Sequence, residues 1–78
     1  MIHAFVLIHV ESGKEKIISE KFKKIKIIKE IFLVDGEYEI ILRVEATDTH
    51  ILKKIVANQI EKIDGVISTA ISNISNVT

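Results

Sequence analysis

Every second residue at the start of the chain is aliphatic. Between residues 2 and 10 the aliphatic positions are Ile2, Ala4, Val6, Ile8 and Val10. Side chains two residues apart point to the same side of a β-strand. The pattern therefore predicts a strand over residues 2–10 with one wholly aliphatic face.

The spacing then changes to that of a helix. Ser12 and Glu15 match a capping box, in which the hydroxyl and the carboxylate each accept a hydrogen bond from a main-chain N–H group at the helix start. The apolar positions that follow lie three or four residues apart, at Ile18, Phe22 and Ile25. Because lysines and glutamates fill most of the other positions, the pattern predicts an amphipathic helix with a basic outer face.

A β-hairpin is predicted after this helix. Residues 28–34 and 37–46 are rich in isoleucine, valine and other strand-forming residues. Between them, Asp35 and Gly36 tolerate the positive φ angles of a two-residue turn.

A second helix and a last strand complete the pattern. Thr47 or Asp48 is expected to cap the helix, and Gly65 is expected to end it. The apolar stripe of this helix consists of Leu52, Ile55, Val56, Ile60 and Ile63. A fourth strand is predicted from about residue 66 to residue 73.

The order of these elements is β-α-β-β-α-β, and the whole of residues 1–78 is expected to form one domain. This order predicts an α+β, ferredoxin-like fold, in which both helices cover one face of a four-stranded antiparallel sheet. The residues expected to point at the helices are Ile2, Val6, Ile8, Ile40, Leu42 and Val44.

The other face of the sheet is expected to carry apolar side chains that the helices do not cover. They are Phe5, Leu7, Ile41 and Ile71. Burying each of them is worth about 1.5–3 kcal/mol, so two such faces pressed together gain on the order of 12–24 kcal/mol gross. The association itself costs about 4–15 kcal/mol. The sequence therefore predicts a homodimer that forms through the open sheet face.

Composition narrows the class of protein. Eleven basic and eleven acidic side chains balance, with a sequence pI near 6.8, which argues against the basic surface of a nucleic-acid-binding domain. No apolar run approaches the length of a membrane span, and no leader pattern precedes the first strand, so we expect a cytoplasmic protein. The chain has no cysteine, which excludes disulfides and cysteine-based zinc sites. The abundance of lysine and glutamate is a signal of heat adaptation.

Candidate chemistry is concentrated beside the predicted hairpin turn, where Glu37 and Glu39 flank Tyr38. Three interpretations are open: a solvated hairpin end, an acid/base pair, or a pocket for a ligand with a positive amine. His3, His9 and His50 are interpreted as ordinary structural or surface residues, because their spacing does not converge on one metal. No nucleophile motif, phosphate loop or dinucleotide fingerprint is present. No catalytic residue, metal or cofactor is expected.

Three segments resemble the effector-binding (RAM) domain of the Lrp/AsnC family of feast/famine regulators. They are AFVLIHVESG at residues 4–13, VDGEYEIILRV at residues 34–44 and IDGVIST at residues 63–69. The second segment is the most specific, because it matches the family's valine, x, glycine, polar residue, aromatic, Asp and aliphatic strand. Glu39 stands where the family usually has Asp, and Ile71 stands where a second threonine is common. The chain resembles the stand-alone form of the domain, which lacks the helix-turn-helix domain.

The resemblance implies a role and a site. Members of the family dimerise through the sheet, often assemble further into octameric rings, and hold small effectors, usually amino acids, between dimers. By position, the expected ligand-binding residues are Gly36, Glu37, Tyr38, Glu39, Thr69 and Ile71. Main-chain groups around Gly36 would hold the effector's carboxylate, and a glutamate would hold its ammonium group. The resemblance also implies full-length Lrp/AsnC regulators as partners and no direct DNA binding.

Two alternative functions are weighed against this one. A small dimeric enzyme of the cofactor-free monooxygenase type would need a polar cluster between sheet and helices, whereas the residues expected there are aliphatic apart from Tyr38. An ACT-type regulatory domain shares the order of strands and helices, but the placement of Gly36, Tyr38 and Glu39 favours the Lrp/AsnC type.

Overall fold

The computed structural model describes residues 1–74, and its elements follow the predicted order. They are β1 (Ile2–Val10), α1 (Glu15–Phe22), β2 (Ile28–Leu33), β3 (Ile40–Ala46), α2 (Thr49–Ile55), a π-helical turn (Val56–Ile60) and β4 (Val66–Ile74). The strands form one antiparallel sheet in the order β2-β3-β1-β4. The predicted ferredoxin-like βαββαβ fold is therefore confirmed.

One face of the sheet and both helices share a single core. Alternate residues of the two central strands are almost fully buried, and they pack with one side of each helix. The core residues are Ala4, Val6, Ile8, Val10, Ile18, Phe22, Ile40, Leu42, Val44, Ala46, Leu52, Val56 and Ile60. Their alternation in the strands confirms which face of the sheet the helices cover.

The opposite face of the sheet is the open face. Leu7 pairs with Ile41, and Phe5 pairs with Arg43; directly opposed residues of an antiparallel pair share a face. Phe32 on β2 pairs with Ile41 and therefore lies on the same side. Phe5, Leu7 and Ile41 are on the open face as predicted, whereas the sequence pattern does not indicate Phe32 there.

The prediction that Ile71 lies on the open face is wrong. Ile71 pairs with Val6, which is fully buried beneath the helices, and it packs against the same core. The register between β1 and β4 shifts between His9 and Val10. Because of this irregularity and the weak alternation of residues 66–74, the sequence does not indicate which side of the sheet each β4 residue occupies.

The hairpin loop is longer than the predicted two-residue turn. Residues 34–39 form the loop, and β3 begins only at Ile40. Gly36 has a φ of +154°, but Asp35 is not at positive φ, so the turn type that needs positive φ at both central residues does not form. The Val34 N–H group donates to the Glu39 carbonyl oxygen at 3.0 Å and closes the loop.

The start of helix α1 differs from the prediction, and the start of helix α2 does not. Helix α1 follows Lys14, which gives no side-chain cap, and the Glu15 carboxylate accepts from the Gly13 N–H group at 2.8 Å instead of from Ser12. Of the two predicted caps of helix α2, Thr47 and Asp48, the cap is Asp48, whose Oδ1 accepts from the Ile51 N–H group at 2.9 Å. Neither helical segment within residues 1–74 has the length and hydrophobicity needed to traverse a lipid bilayer.

Candidate functional site

A cavity of about 380 Å³ lies between the hairpin loop and the start of helix α1. Its lining residues are Glu15, Lys16, Leu33, Val34, Asp35 and Glu39. The volume is at the lower end of the range for small-molecule sites. We call it the loop cavity.

Glu39 anchors the hairpin loop to the rest of the sheet. Its N–H group donates to the Ile8 carbonyl oxygen at 3.1 Å, and its carbonyl oxygen accepts from Val34. Its carboxylate accepts from the Val10 N–H group at 2.7 Å and from His9 Nδ1 at 2.9 Å. Glu39 therefore joins the loop to β1 through both its main chain and its side chain.

The same bonds keep Glu39 ionised. The Val10 N–H bond first, and then the His9 ring, hold the pKa of the Glu39 carboxyl below its ordinary value. Hydrogen bonds to a carboxylate favour its charged form. The loop cavity therefore has a permanent negative charge at neutral pH.

The loop cavity also presents a positive charge and an apolar wall. Lys16 is exposed in the first turn of helix α1, and among residues 1–74 it forms no ion pair. Leu33 and Val34 supply the apolar wall and are themselves 53% and 36% exposed. Opposite charges beside an apolar surface suit a zwitterion with a hydrocarbon side chain.

The predicted ligand-binding residues are only partly brought together. Glu39 lines the loop cavity, while Gly36, Glu37 and Tyr38 lie on the same loop outside the cavity lining. Thr69 pairs with Ile8, and its hydroxyl donates to the Glu61 carboxylate at 2.8 Å.

Ile71 is partly buried and packs against the core, as described above. Within one protomer the two β4 residues, Thr69 and Ile71, are thus not part of the loop cavity. Their role in ligand binding stays a prediction.

Sequence reasoning misses two contributors to this site. The sequence pattern places Lys16 on a solvated helix face, and only the tertiary structure brings it next to the hairpin loop. The same pattern makes His9 an ordinary strand residue. The signal that could have found His9 is the pairing of β1 with β3. In that register Leu7 lies opposite Ile41, so two residues further along His9 lies opposite Glu39.

Charged side chains border the apolar centre of the open face at its other end. Arg43 contacts the carboxylate of Glu30, and its Nη1 donates to Glu45 Oε2 at 2.8 Å. Arg43 lowers the pKa of the Glu45 carboxyl. His3 Nδ1 lies 3.8 Å from the same Glu45 carboxylate. An apolar centre with a polar rim is the usual anatomy of a protein–protein interface.

Comparisons with known proteins agree with the fold. The family model described as the Lrp/AsnC ligand binding domain matches residues 3–77. The HTH-type transcriptional regulator LrpA of Pyrococcus horikoshii is 36% identical over 59 residues, which cover 73% of this chain and 42% of that protein. The chain therefore spans less than half the length of this relative.

Solved structures show the same architecture. The crystal structure of TTHA0845 from Thermus thermophilus superposes with a TM-score of 0.93 at 26% identity, covering 100% of this chain and 98% of that one. A feast or famine regulatory protein from M. tuberculosis, solved in complex with L-methionine, has a TM-score of 0.85 at 20% identity, covering 99% of this chain and 53% of that one.

The fold and the match to the family model define a small ligand-binding domain of the kind found in transcription regulators. The chain belongs to the Lrp/AsnC family, as its ligand binding domain. This family is one of regulator domains and not of enzymes.

Proposed function

We propose that the chain is an amino-acid-sensing module of the Lrp/AsnC type that acts as a stand-alone domain. The observation that carries the proposal is the loop cavity, which Glu39 and Lys16 line together with the apolar Leu33 and Val34. Glu39 would attract the α-ammonium group of an amino acid, and Lys16 would attract its carboxylate. The L-methionine complex of a protein with the same fold supports this class of ligand.

Self-assembly through the open face is part of the proposal. Phe5, Leu7, Ile41 and Phe32 form an apolar centre, and charged residues border it. Two protomers related by a two-fold axis would cover these side chains mutually. Larger rings of dimers would then bring hairpin loops of neighbouring dimers together, so that Gly36, Glu37 and Tyr38 could complete the site.

The proposed module modulates full-length regulators of its own family and does not itself bind DNA. Within residues 1–74, both helices bury their apolar sides against the sheet, so neither is free to enter a DNA groove as a recognition helix. The balance of eleven basic and eleven acidic side chains supports the same view. Mixed assembly with full-length relatives would bring the module to DNA indirectly.

An enzymatic role has less support. Proton-transfer chemistry beneath the sheet would need titratable groups between sheet and helices. The buried residues described there are apolar except for Ser19. Its hydroxyl has no hydrogen-bond partner within the described residues.

The test is a thermal unfolding screen of the wild-type protein with each of the twenty amino acids. A ligand present at 100 times its Kd adds about 2.7 kcal/mol of stability, which raises the Tm of a chain of this size by roughly 10–20 °C. We expect at least one amino acid to do so, and light scattering to show whether the assembly changes size with it. If none of the twenty raises the Tm, the amino-acid-sensing proposal is wrong.

A pair of lysine variants tests the site. Lys16→Ala removes the positive charge of the loop cavity, whereas Lys21→Ala removes an exposed lysine elsewhere on helix α1. The stabilisation by the active amino acid should fall in the first variant and persist in the second. Equal responses would show that Lys16 does not hold the effector.

A further inference from the structure

His9 lies on the open face of the sheet and not in the loop cavity. It is the third in the alternating series Phe5, Leu7, His9 along β1, and its side chain is 42% exposed. Its Nδ1 lies 2.9 Å and 3.0 Å from the two carboxylate oxygens of Glu39. Because an ionised carboxylate can only accept, the His9 Nδ1 carries the proton and donates.

Glu39 therefore connects two surfaces of the protomer. Glu39 lines the loop cavity, where the proposed effector binds. Its carboxylate is held by a ring on the face where the proposed partner packs. The Val10 N–H bond fixes one oxygen of Glu39, at 2.7 Å. The His9 ring spans both oxygens and so sets the rotation of the carboxylate about its axis.

We propose that His9 is a positioning residue for the loop cavity, which holds the Glu39 carboxylate from the open sheet face and so couples effector binding to packing on that face. The part that concerns the effector rests on the proposed function. A partner sheet that covers His9 removes the water that competes for its ring, and hydrogen bonds shielded from water are electrostatically stronger. Coupling of this kind is reciprocal, so an effector that engages Glu39 also changes the affinity between protomers.

Two variants of His9 separate positioning from a merely structural role. His9→Leu places an apolar side chain of comparable bulk on the open face and removes the Nδ1 donor. His9→Asn restores an N–H donor near the place of Nδ1. Both are compared with the wild type at one protomer concentration, and sizing by light scattering reports whether the assembly is retained.

The first measurement is the NMR titration of the Glu39 side-chain carboxyl without any amino acid. Loss of the His9 bond should raise the pKa of Glu39 in His9→Leu, although the Val10 N–H bond continues to lower it. His9→Asn should bring it back towards the wild-type value. An unchanged Glu39 titration in His9→Leu would overturn the positioning role, whatever the protein binds.

The second measurement repeats the amino-acid screen on both variants, with L-methionine as the named probe and the other nineteen amino acids beside it. Each amino acid that stabilises the wild type should bind His9→Leu at least about fivefold more weakly than the wild type. It should bind His9→Asn nearly as tightly as the wild type. If both variants bind as the wild type does, the inference is wrong while the proposed function stands. If the wild type itself binds none, the proposed function and the effector coupling are both wrong, and the Glu39 titration alone decides the positioning role.

Discussion

At the scale of single residues, two independent features of the structure favour glycine at position 65, its backbone conformation and the close approach of helix α1. Its φ of +98° lies in the region that L side chains rarely adopt. A Cβ atom there would also lie 2.8 Å from Lys14 Cδ and 2.9 Å from Ile18 Cδ1. The Gly65 carbonyl oxygen accepts from the Glu11 N–H group at 2.8 Å. Gly65 therefore allows the start of helix α1 to pack directly on the segment that leads into β4.

The substitution Gly65→Ala should destabilise the protein more than Gly13→Ala does. Both positions have positive φ, but a Cβ at Gly13 would meet no atom within 4 Å. The difference between the two variants isolates the steric clash, and overpacking of this kind costs about 1–3 kcal/mol. Urea unfolding at one protomer concentration measures it, and equal losses in the two variants would contradict the steric explanation.

At the scale of elements, helix α2 shows how a short helix is held in place at both ends. Leu52 of helix α2 and Val56 and Ile60 of the π-helical turn that continues it are buried and spaced by four. Residues so spaced drift by about 40° per step around an ideal α-helix. The π-helical turn after Ile55 contains the bond from the Glu61 N–H group to the Val56 carbonyl oxygen at 2.8 Å. Its wider turn rotates less per residue, which keeps Ile60 over the sheet.

Loss of the cap at the other end of α2 is a test of this element. Asp48→Ala removes the acceptor for the Ile51 N–H group and should cost about 0.5–2 kcal/mol of stability. Asp48→Asn keeps an acceptor oxygen and should retain most of it. Thermal unfolding of the three proteins gives the order. A variant Asp48→Ala as stable as the wild type would mean that water satisfies the helix start equally well.

At the scale of the whole molecule, the two faces of one sheet have different surroundings. The helices cover one face, and the open face keeps Phe5, Leu7, Ile41 and Phe32 beside a charged rim. Phe32, 42% exposed, adds an apolar side chain to the open face on edge strand β2, whereas Ile71 on the opposite edge strand turns to the core side. Four large apolar side chains thus remain available for association, as in the estimate made from the sequence.

A lysine on the open face should break the proposed dimer. Leu7→Lys places a charge at the centre of that face, where burial without a partner is costly. Ile51→Lys is the matched control, because Ile51 is 38% exposed on helix α2. Sedimentation velocity at micromolar concentration should show a dimer or larger assembly for the wild type and the control, and smaller species for Leu7→Lys. A monomeric wild type would refute the dimer directly.

The sequence by itself determined the order of elements, the core face of both central strands, the hairpin, and a cap of helix α2 at Thr47 or Asp48. These features depend on residues that are neighbours in the chain, because side-chain period and capping act over a few positions. The three segments at residues 4–13, 34–44 and 63–69 together indicated the family.

Only the tertiary structure decided the features that join distant segments. The strand register, shifted beside His9, turned Ile71 into the core, and the packing of α1 brought Lys16 to the hairpin loop. The register also joined His9 to Glu39, thirty positions away. Local patterns do not encode such contacts, because a shift of one residue in strand pairing changes every facing pair.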